Sequence, residues 1–440
     1  MLMPNLLPIL AGGSCYPRCL TGPILARPSL ASLGVLLFSL SACASYSPGI
    51  EALGEINGHE IATTVDAPEA KYYLETYLEE LPGDPELEVA LDRALAKLSP
   101  SQVRNEEFRI LATTFSRDLA TLHLVKRLSE IPENARLQGA YWREIESLRR
   151  LTGDDDTGLD SCKIGSTSPR FVFVPGWLYR TNSGTGADFA EQRELLRALG
   201  FETQLVATEE NGSIEINAQI VADHIRRADP GAGPLVLISA SKAGPEVAHA
   251  LGHLLPAEES AAVKAWINVG GLLKGSPLAD WGTDWPNSLL VRLYFALKDL
   301  DISASLASMT TARSRDRWQK QSLPEHLSLV NFIAVPLSGD ITPNAKFGYS
   351  RADDAGPTDG LTSIIDELAH GGTTVIEVGL DHYYKDPDIH LKTVAISLTV
   401  IREVIGSIDI DCSVPAPLPD GGVVAQKAMD FPKPPRNSSA

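Results

Sequence analysis

Positive charge, cysteine and long apolar runs are all scarce in this sequence. Its 38 Lys and Arg stand against 56 Asp and Glu, a formal net charge of −18 over 440 residues. The few basic clusters are interleaved with acids, which excludes nucleic acid as a partner, because phosphate binding needs a basic patch. There are five cysteines, and no Cys/His spacing of the kind that holds zinc, so no metal and no cofactor are expected. The apolar stretch at 30–40 is too short to span a bilayer comfortably, and no internal repeat is evident. What is present is a globular composition, 44% hydrophobic, in a chain long enough for a full core and more than one domain.

Residues 1–42 carry Arg18 and Arg27 but no Asp, Glu or Lys, and they enclose the apolar stretch. That is the pattern of an export signal, with a retained transmembrane helix as the alternative. The stretch ends in Leu40, Ser41, Ala42 and Cys43, which resembles the bacterial lipoprotein signal; a plain signal peptide is the other reading. The resemblance implies that Cys43 becomes a lipidated first residue and that the membrane is met through this N-terminal anchor. Ala44 behind it resembles outer-membrane rather than inner-membrane sorting. The expectation is a protein exported to the bacterial cell envelope, at the outer membrane, facing the periplasm or the cell surface. Cys15 and Cys19 would leave with the leader, so Cys162 and Cys412 remain, and in an oxidising compartment such a pair forms one disulfide or stays as two free thiols.

Residues 43–66 are small, polar and Gly/Pro-containing, as in a tether. Residues 67–152 are rich in Leu, Ala, Glu and Arg with apolar positions at helical spacing, an N-terminal helical region that includes His123 as a packing or surface residue. A polar linker with Asp154, Asp155 and Asp156 follows. From there strands and helices alternate: strands near 170–174, 203–207, 234–239, 264–269, 329–336 and 373–378, with helices between them and near 361–369 and 388–405. This predicts an α/β class domain over 165–410 with a mostly parallel six-stranded sheet. An insertion at 271–326 carries Trp281, Trp285, Tyr294, Phe295 and Trp318, and the tail at 413–440 is Pro-rich.

The most telling segment is 235–251, LVLISASKAGPEVAHAL. An apolar run enters a turn of small residues around Ser241 and leaves as a helix. A strand-to-helix turn that strains the backbone of its central residue tolerates only small neighbours, and here these are Ser239, Ala243 and Gly244. Upstream, 171–178 is a buried-strand pattern that stops at Pro175 and Gly176. Downstream, 373–382 is another strand pattern with Asp381 and His382 just past its end. This order of loop, serine, acid and histidine resembles the α/β-hydrolase superfamily of serine esterases and lipases.

The resemblance implies an α/β-hydrolase fold, with the 271–326 insertion as a lid or cap. It further implies Ser241 as nucleophile and His382 as general base, with His370 as the rival. His249 and His253 lie behind the elbow, and His390 opens the last helix. The N–H groups of Lys242 and Trp177 would form the oxyanion hole, Lys242 at the favourable end of a helix dipole. For the acid, Asp359 lies in a segment that resembles the Asn-Asp-Gly-Leu loop of bacterial lipases, with Thr358 in place of Asn, at a typical separation from His382. Asp340, directly after the fifth strand, is the alternative, Asp381 is structural, and Asp353 and Asp354 form a solvated acidic pair. The implied activity is hydrolysis of small-molecule or lipid carboxylic esters through an acyl-enzyme. A thioesterase or amidase with the same triad, and a non-catalytic envelope binding protein on the same scaffold, remain open, as does the oligomeric state.

Overall fold

The computed structural model describes residues 49–56, 59–99, 103–152, 162–164, 168–352, 356–406 and 410–412. The leader with Cys43, the Asp154–Asp156 run, Asp353, Asp354 and the tail lie outside the described residues. The first described elements correct the expected tether: β1 (Ile50–Ile56) and β2 (His59–Val65) form an antiparallel hairpin, Ile50 opposite Val65. Its apolar residues are few but alternate, and Ala52, Ile56, Ile61 and Val65 are buried on one face. That is enough for a half-buried ribbon even though the stretch reads as linker by composition.

Five helices follow: α1 (Pro68–Tyr72, continued by a π-turn to Tyr77), α2 (Pro85–Leu95), α3 (Asn105–Thr114), α4 (Arg117–Ser129) and α5 (Pro132–Thr152). Asp84 and Ser116 cap α2 and α4 by accepting hydrogen bonds from first-turn N–H groups. The backbone of β1 comes close to that of the α1 extension; a Cβ on Gly54 would fall 2.7 Å from the Leu74 carbonyl oxygen.

The chain then gives β3 (Cys162–Ile164), β4 (Arg170–Val174), α6 (Ala190–Ala198), β5 (Thr203–Leu205), α7 (Ile214–Arg226), β6 (Leu235–Ala240), α8 (Ala243–His249, extended by a π-turn to Leu254) and β7 (Val263–Val269). Between β7 and β8 (Ser328–Val335) sit four helices, α9 (Pro277–Thr283), α10 (Asn287–Ala296), α11 (Ser303–Ser308) and α12 (Thr311–Gln319). The short α13 (Lys346–Tyr349) and α14 (Ile364–Glu367) precede β9 (Thr373–Val378), α15 (Ile389–Val400) and β10 (Ile410–Cys412). β3 pairs with β10 antiparallel, with Cys162 directly opposite Cys412.

The central sheet has the order β5-β4-β6-β7-β8-β9, and every pairing in it is parallel. β4 is buried along its whole length, because helices cover both faces: α15 packs on α5 and α6, and α8 on α7. This is the expected α/β-hydrolase fold. The connection from β4 runs outward to β5, and the next strand, β6, returns on the other side of β4. The loops leaving β4 and β6 therefore diverge and open a crevice at the strand ends.

The helical region is not a separate body. Leu74, Phe108, Leu119 and Leu122 share one core with Ile333 and Val335 of β8 and Ile376 of β9. Asp118 ties the parts together: it accepts hydrogen bonds from the Asp66 N–H at 2.7 Å, at the end of the hairpin, and from the Ser338 N–H at 2.9 Å, in the loop after β8. Burial and then the charge of Asp66 push its carboxyl up to about 7, against the opposing effect of the Ser338 bonds. Between the ordinary carboxyl range and about pH 7 the folded protein holds a proton here that the unfolded chain releases, so this group lowers stability as pH rises through that window and adds no slope above it. Unfolding free energies of wild type and Asp118→Asn, from urea titrations across pH 4 to 8, should converge or cross as pH rises, by a few kcal/mol at most. Parallel curves would show that Asp118 is ionised throughout.

Candidate active site

β6 ends at Ala240, and Ser241 takes a left-handed backbone with φ of 55°. For a residue with a side chain this costs on the order of 1–3 kcal/mol, and the surroundings hold it. The Ser241 N–H donates to the Val269 carbonyl at 2.9 Å, and the Ser241 carbonyl accepts from Gly244 at 3.0 Å and Leu272 at 3.1 Å. Gly244 has no room for a side chain: a Cβ would stand 2.8 Å from the Gly271 Cα. Ser239, where glycine is usual, is buried and its hydroxyl accepts the Trp266 indole N–H at 2.8 Å, so the extra atom is used rather than crowded.

His382 hangs from the loop after β9. Asp381 braces that loop, accepting from the Thr342 N–H at 2.8 Å and the Tyr383 N–H at 2.9 Å, and the His382 N–H donates to the Asp359 carbonyl at 2.9 Å. The imidazole Nε2 lies 2.9 Å from Ser241 Oγ, and Nδ1 donates to Asp359 Oδ2. Asp359 is fully buried. Its Oδ1 accepts two backbone N–H groups, Leu361 and Thr362, each at 2.8 Å. Burial on its own would raise this carboxyl, but His382 beside it and the two N–H donors hold it below its ordinary value. Thr358, in the place of Asn, closes the loop through its hydroxyl, which donates to the Thr362 carbonyl at 2.6 Å. Gly360 turns with φ of 99° against Ala345, where a Cβ would approach to 2.8 Å.

The structure thus brings Ser241, His382 and Asp359 into one hydrogen-bonded chain. Asp340 is not part of it: its carboxylate accepts the Thr63 hydroxyl at 2.6 Å and the Leu337 N–H at 2.9 Å, which binds the loop after β8 to the hairpin. Among the other histidines, His370 is exposed on a turn and His123 is buried against Phe108 with Nδ1 2.8 Å from the Tyr73 hydroxyl. His249 and His253 stack on each other, 4.8 Å between rings.

Lys242 heads α8 directly after Ser241, and Trp177 follows Gly176 in the loop after β4. Gly176 spends its N–H on the Ala187 carbonyl at 2.9 Å. The Trp177 ring is buried against Phe295 of α10, 6.2 Å between centroids. Of the insertion's other aromatics, Trp281 meets Phe347 edge-on, Trp318 packs on the core around α8, and Trp285 is 85% exposed. A cavity of about 90 Å³ touches both Ser241 and His382 and is lined by Gly176, Ala187, Phe189 and Tyr384 among others. A larger one, about 520 Å³, lies between the hairpin, α5 and β9 and is lined by none of the three chain residues.

Two groups escape the sequence reading. The Lys242 side chain is buried in an ion pair with Glu246, which also accepts the Asn217 amide at 2.8 Å; the i, i+4 spacing is the signal that could have found it. Glu367 is fully buried next to Asp359, and nothing in its surrounding sequence distinguishes it from a solvated helix residue. Among the described residues no cluster of three or more His, Cys, Asp or Glu is arranged to hold a metal ion, and no helix is long and apolar enough to cross a membrane.

No protein-family model matches the chain, and no curated protein matches it in sequence. Solved structures do resemble it in shape. A metagenomic carboxyl esterase is 18% identical, with 61% of this chain and 91% of that one covered and a TM-score of 0.47. The mature Bacillus licheniformis lipase BlEst2 is 17% identical over 56% of this chain and 95% of its own, TM-score 0.44. The esterase domain of a Rhodothermus marinus protein is 13% identical over 55% and 90%, TM-score 0.31. At these identities and scores the likeness assigns no substrate and no reaction to this chain.

Proposed function

We propose that the protein is a serine hydrolase that cleaves carboxylic esters through an acyl-enzyme at the cell envelope. The observation that carries the reading is the unbroken chain from buried Asp359 through His382 to Ser241. In this mechanism His382 Nε2 takes the Ser241 proton as Oγ attacks the ester carbonyl, and Asp359 stabilises the imidazolium. The oxyanion is met by the Lys242 and Trp177 N–H groups. His382 returns the proton to the departing alcohol, and a water attacks the acyl-enzyme by the same route. The cavity that touches both Ser241 and His382, about 90 Å³, is where the acyl group would sit. The α9–α12 insertion, whose Phe295 backs Trp177, is the cap in this reading.

The same proposal includes the envelope setting read from the leader: Cys43 lipidated, and Cys162 joined to Cys412. Residues directly opposite in an antiparallel pair have Cα atoms about 4.5–5.5 Å apart, within the span a disulfide accepts.

Ser241→Ala should abolish both labelling by a fluorophosphonate probe and turnover of p-nitrophenyl esters. Turnover surviving in that variant would end the serine-hydrolase reading, and inactivity of the wild type on esters but not thioesters or amides would change the substrate class. Asp359→Asn should cut turnover by orders of magnitude, about 10⁴ by the protease precedent, while Asp340→Asn should act on thermal stability and spare turnover in the folded fraction; the reverse pattern would move the acid to Asp340. Free-thiol titration of the unfolded, unreduced mature protein should find neither Cys162 nor Cys412 reactive, and mass spectrometry of the mature N-terminus should find lipid on Cys43. Two free thiols or an unmodified N-terminus would each remove the corresponding part.

A further inference from the structure

Glu367 ends α14 with its carboxyl fully out of water, and among the described residues neither of its oxygens meets an N–H or O–H donor. The cations near it are spent elsewhere. Lys274 donates to the Ile365 and Leu368 carbonyls at 3.2 and 3.3 Å and lies 4.0 Å from Asp366, whose carboxylate also takes Arg315 at 3.1 Å. Tyr384 gives its hydroxyl proton to the Phe332 carbonyl at 2.9 Å, and the Asn268 amide donates to the Glu367 backbone carbonyl, not to its side chain. The groups facing the Glu367 carboxyl are thus the carboxylates of Asp359 and Asp366 and the ring of Tyr384.

An ionised carboxylate in that place would have neither counter-ion nor donor and a like charge beside it. Burial, and then the charge of Asp359, hold the Glu367 carboxyl well above its ordinary range. A neutral carboxyl group carries one O–H, and the acceptor beside it is Asp359. Asp359 has room for it: of about four lone-pair sites, two take the Leu361 and Thr362 N–H groups and one takes His382.

We propose that Glu367 is a positioning residue, a neutral carboxylic acid whose O–H donates to Asp359 and fixes the orientation and basicity of the triad's acid. The proposal rests on the triad reading given above. Donation draws negative charge away from the edge of Asp359 that faces His382. The imidazolium is then held less tightly, and His382 stays neutral, able to accept the Ser241 proton, down to lower pH.

The test is the pH profile of kcat/KM for wild type, Glu367→Gln and Glu367→Leu. The Leu variant lacks the donor, so Asp359 binds the imidazolium more strongly: the acid limb should move to higher pH by about half a unit or more, with kcat falling several-fold and KM little changed. The Gln variant offers a neutral N–H donor of similar shape and should return the limb to the wild-type position. A limb that stays put in the Leu variant, or that moves equally in both, overturns the proposal, because a packing role alone would not shift it. If the Leu variant does not fold, the infrared difference spectrum between wild type and Glu367→Gln decides. At neutral pH it should contain the carbonyl stretch of a protonated carboxylic acid present in the wild type alone, and its absence overturns the proposal. Loss of the triad reading would appear instead as failure of fluorophosphonate to label Ser241 in the wild type, with the infrared result unaffected.

Discussion

A single carboxylate removed from water, that of Asp359, sets the terms for everything at the end of the sheet. Such a charge is tolerable only if its lone pairs are met, and each partner imposes a local geometry. Leu361 and Thr362 give it their N–H groups, while the Thr362 carbonyl turns back to accept the Asp359 N–H at 3.2 Å and the Thr358 hydroxyl, so the chain closes a loop here. The helix expected over 361–369 is therefore reduced to the single turn 364–367. The tight loop that brings the two N–H groups round needs Gly360 in a left-handed conformation against Ala345 and the hydroxyl clamp of Thr358.

The opposite side of the crevice stores strain instead of charge. Ser241 and Leu178, in the segments that follow β6 and β4, both have φ of 55°, at on the order of 1–3 kcal/mol each. They persist because β4 is buried throughout and β6 is buried up to Ser239, so neither strand can shift without opening the core. The Lys242–Glu246 pair adds to this hold. A buried ion pair contributes little net stability, since desolvation offsets the attraction, but breaking it by removing one partner is costly, about 3–5 kcal/mol. Its effect is to fix where α8 begins, and hence where the Lys242 N–H points.

Which features were legible follows from the same physics. The six strands could be read within a residue or two because both faces of the sheet are covered, so runs such as 235–240 and 328–335 are apolar almost without interruption. The elbow was legible because sterics restrict the residues around Ser241, even with Ser239 in place of glycine. The hairpin at 50–65 was not, since alternating Ala, Ile and Val among Gly, Thr and Glu look the same in a half-buried ribbon and in a linker. Asp340 and Asp359 were both plausible partners for His382 on position in the chain. The resemblance to the lipase acid loop favoured Asp359, and the fold agrees by turning Asp340 toward Thr63 of β2. Glu367 had no signature at all, because its meaning lies in a neighbour eight residues away across a loop.

The hairpin also bears on what the N-terminal region is for. Thr63 holds Asp340, and Asp118 of α4 holds Ser338; a Cβ on Gly339 between them would come within 2.7 Å of the Thr64 backbone. The loop after β8 is thereby clamped to the N-terminal region on both sides of its glycine. Two residues past Asp340, the Thr342 N–H binds Asp381, which sets the loop carrying His382. Hydrogen bonds joined by short stretches of chain therefore link the hairpin and α4 to the loop that carries the imidazole. An appended interaction module would meet the sheet through a separable interface; this region instead shares the core of β8 and β9 and supports the loop that positions His382. On physical grounds it is part of the frame of the candidate site, and the α/β domain begins, for folding purposes, at the hairpin.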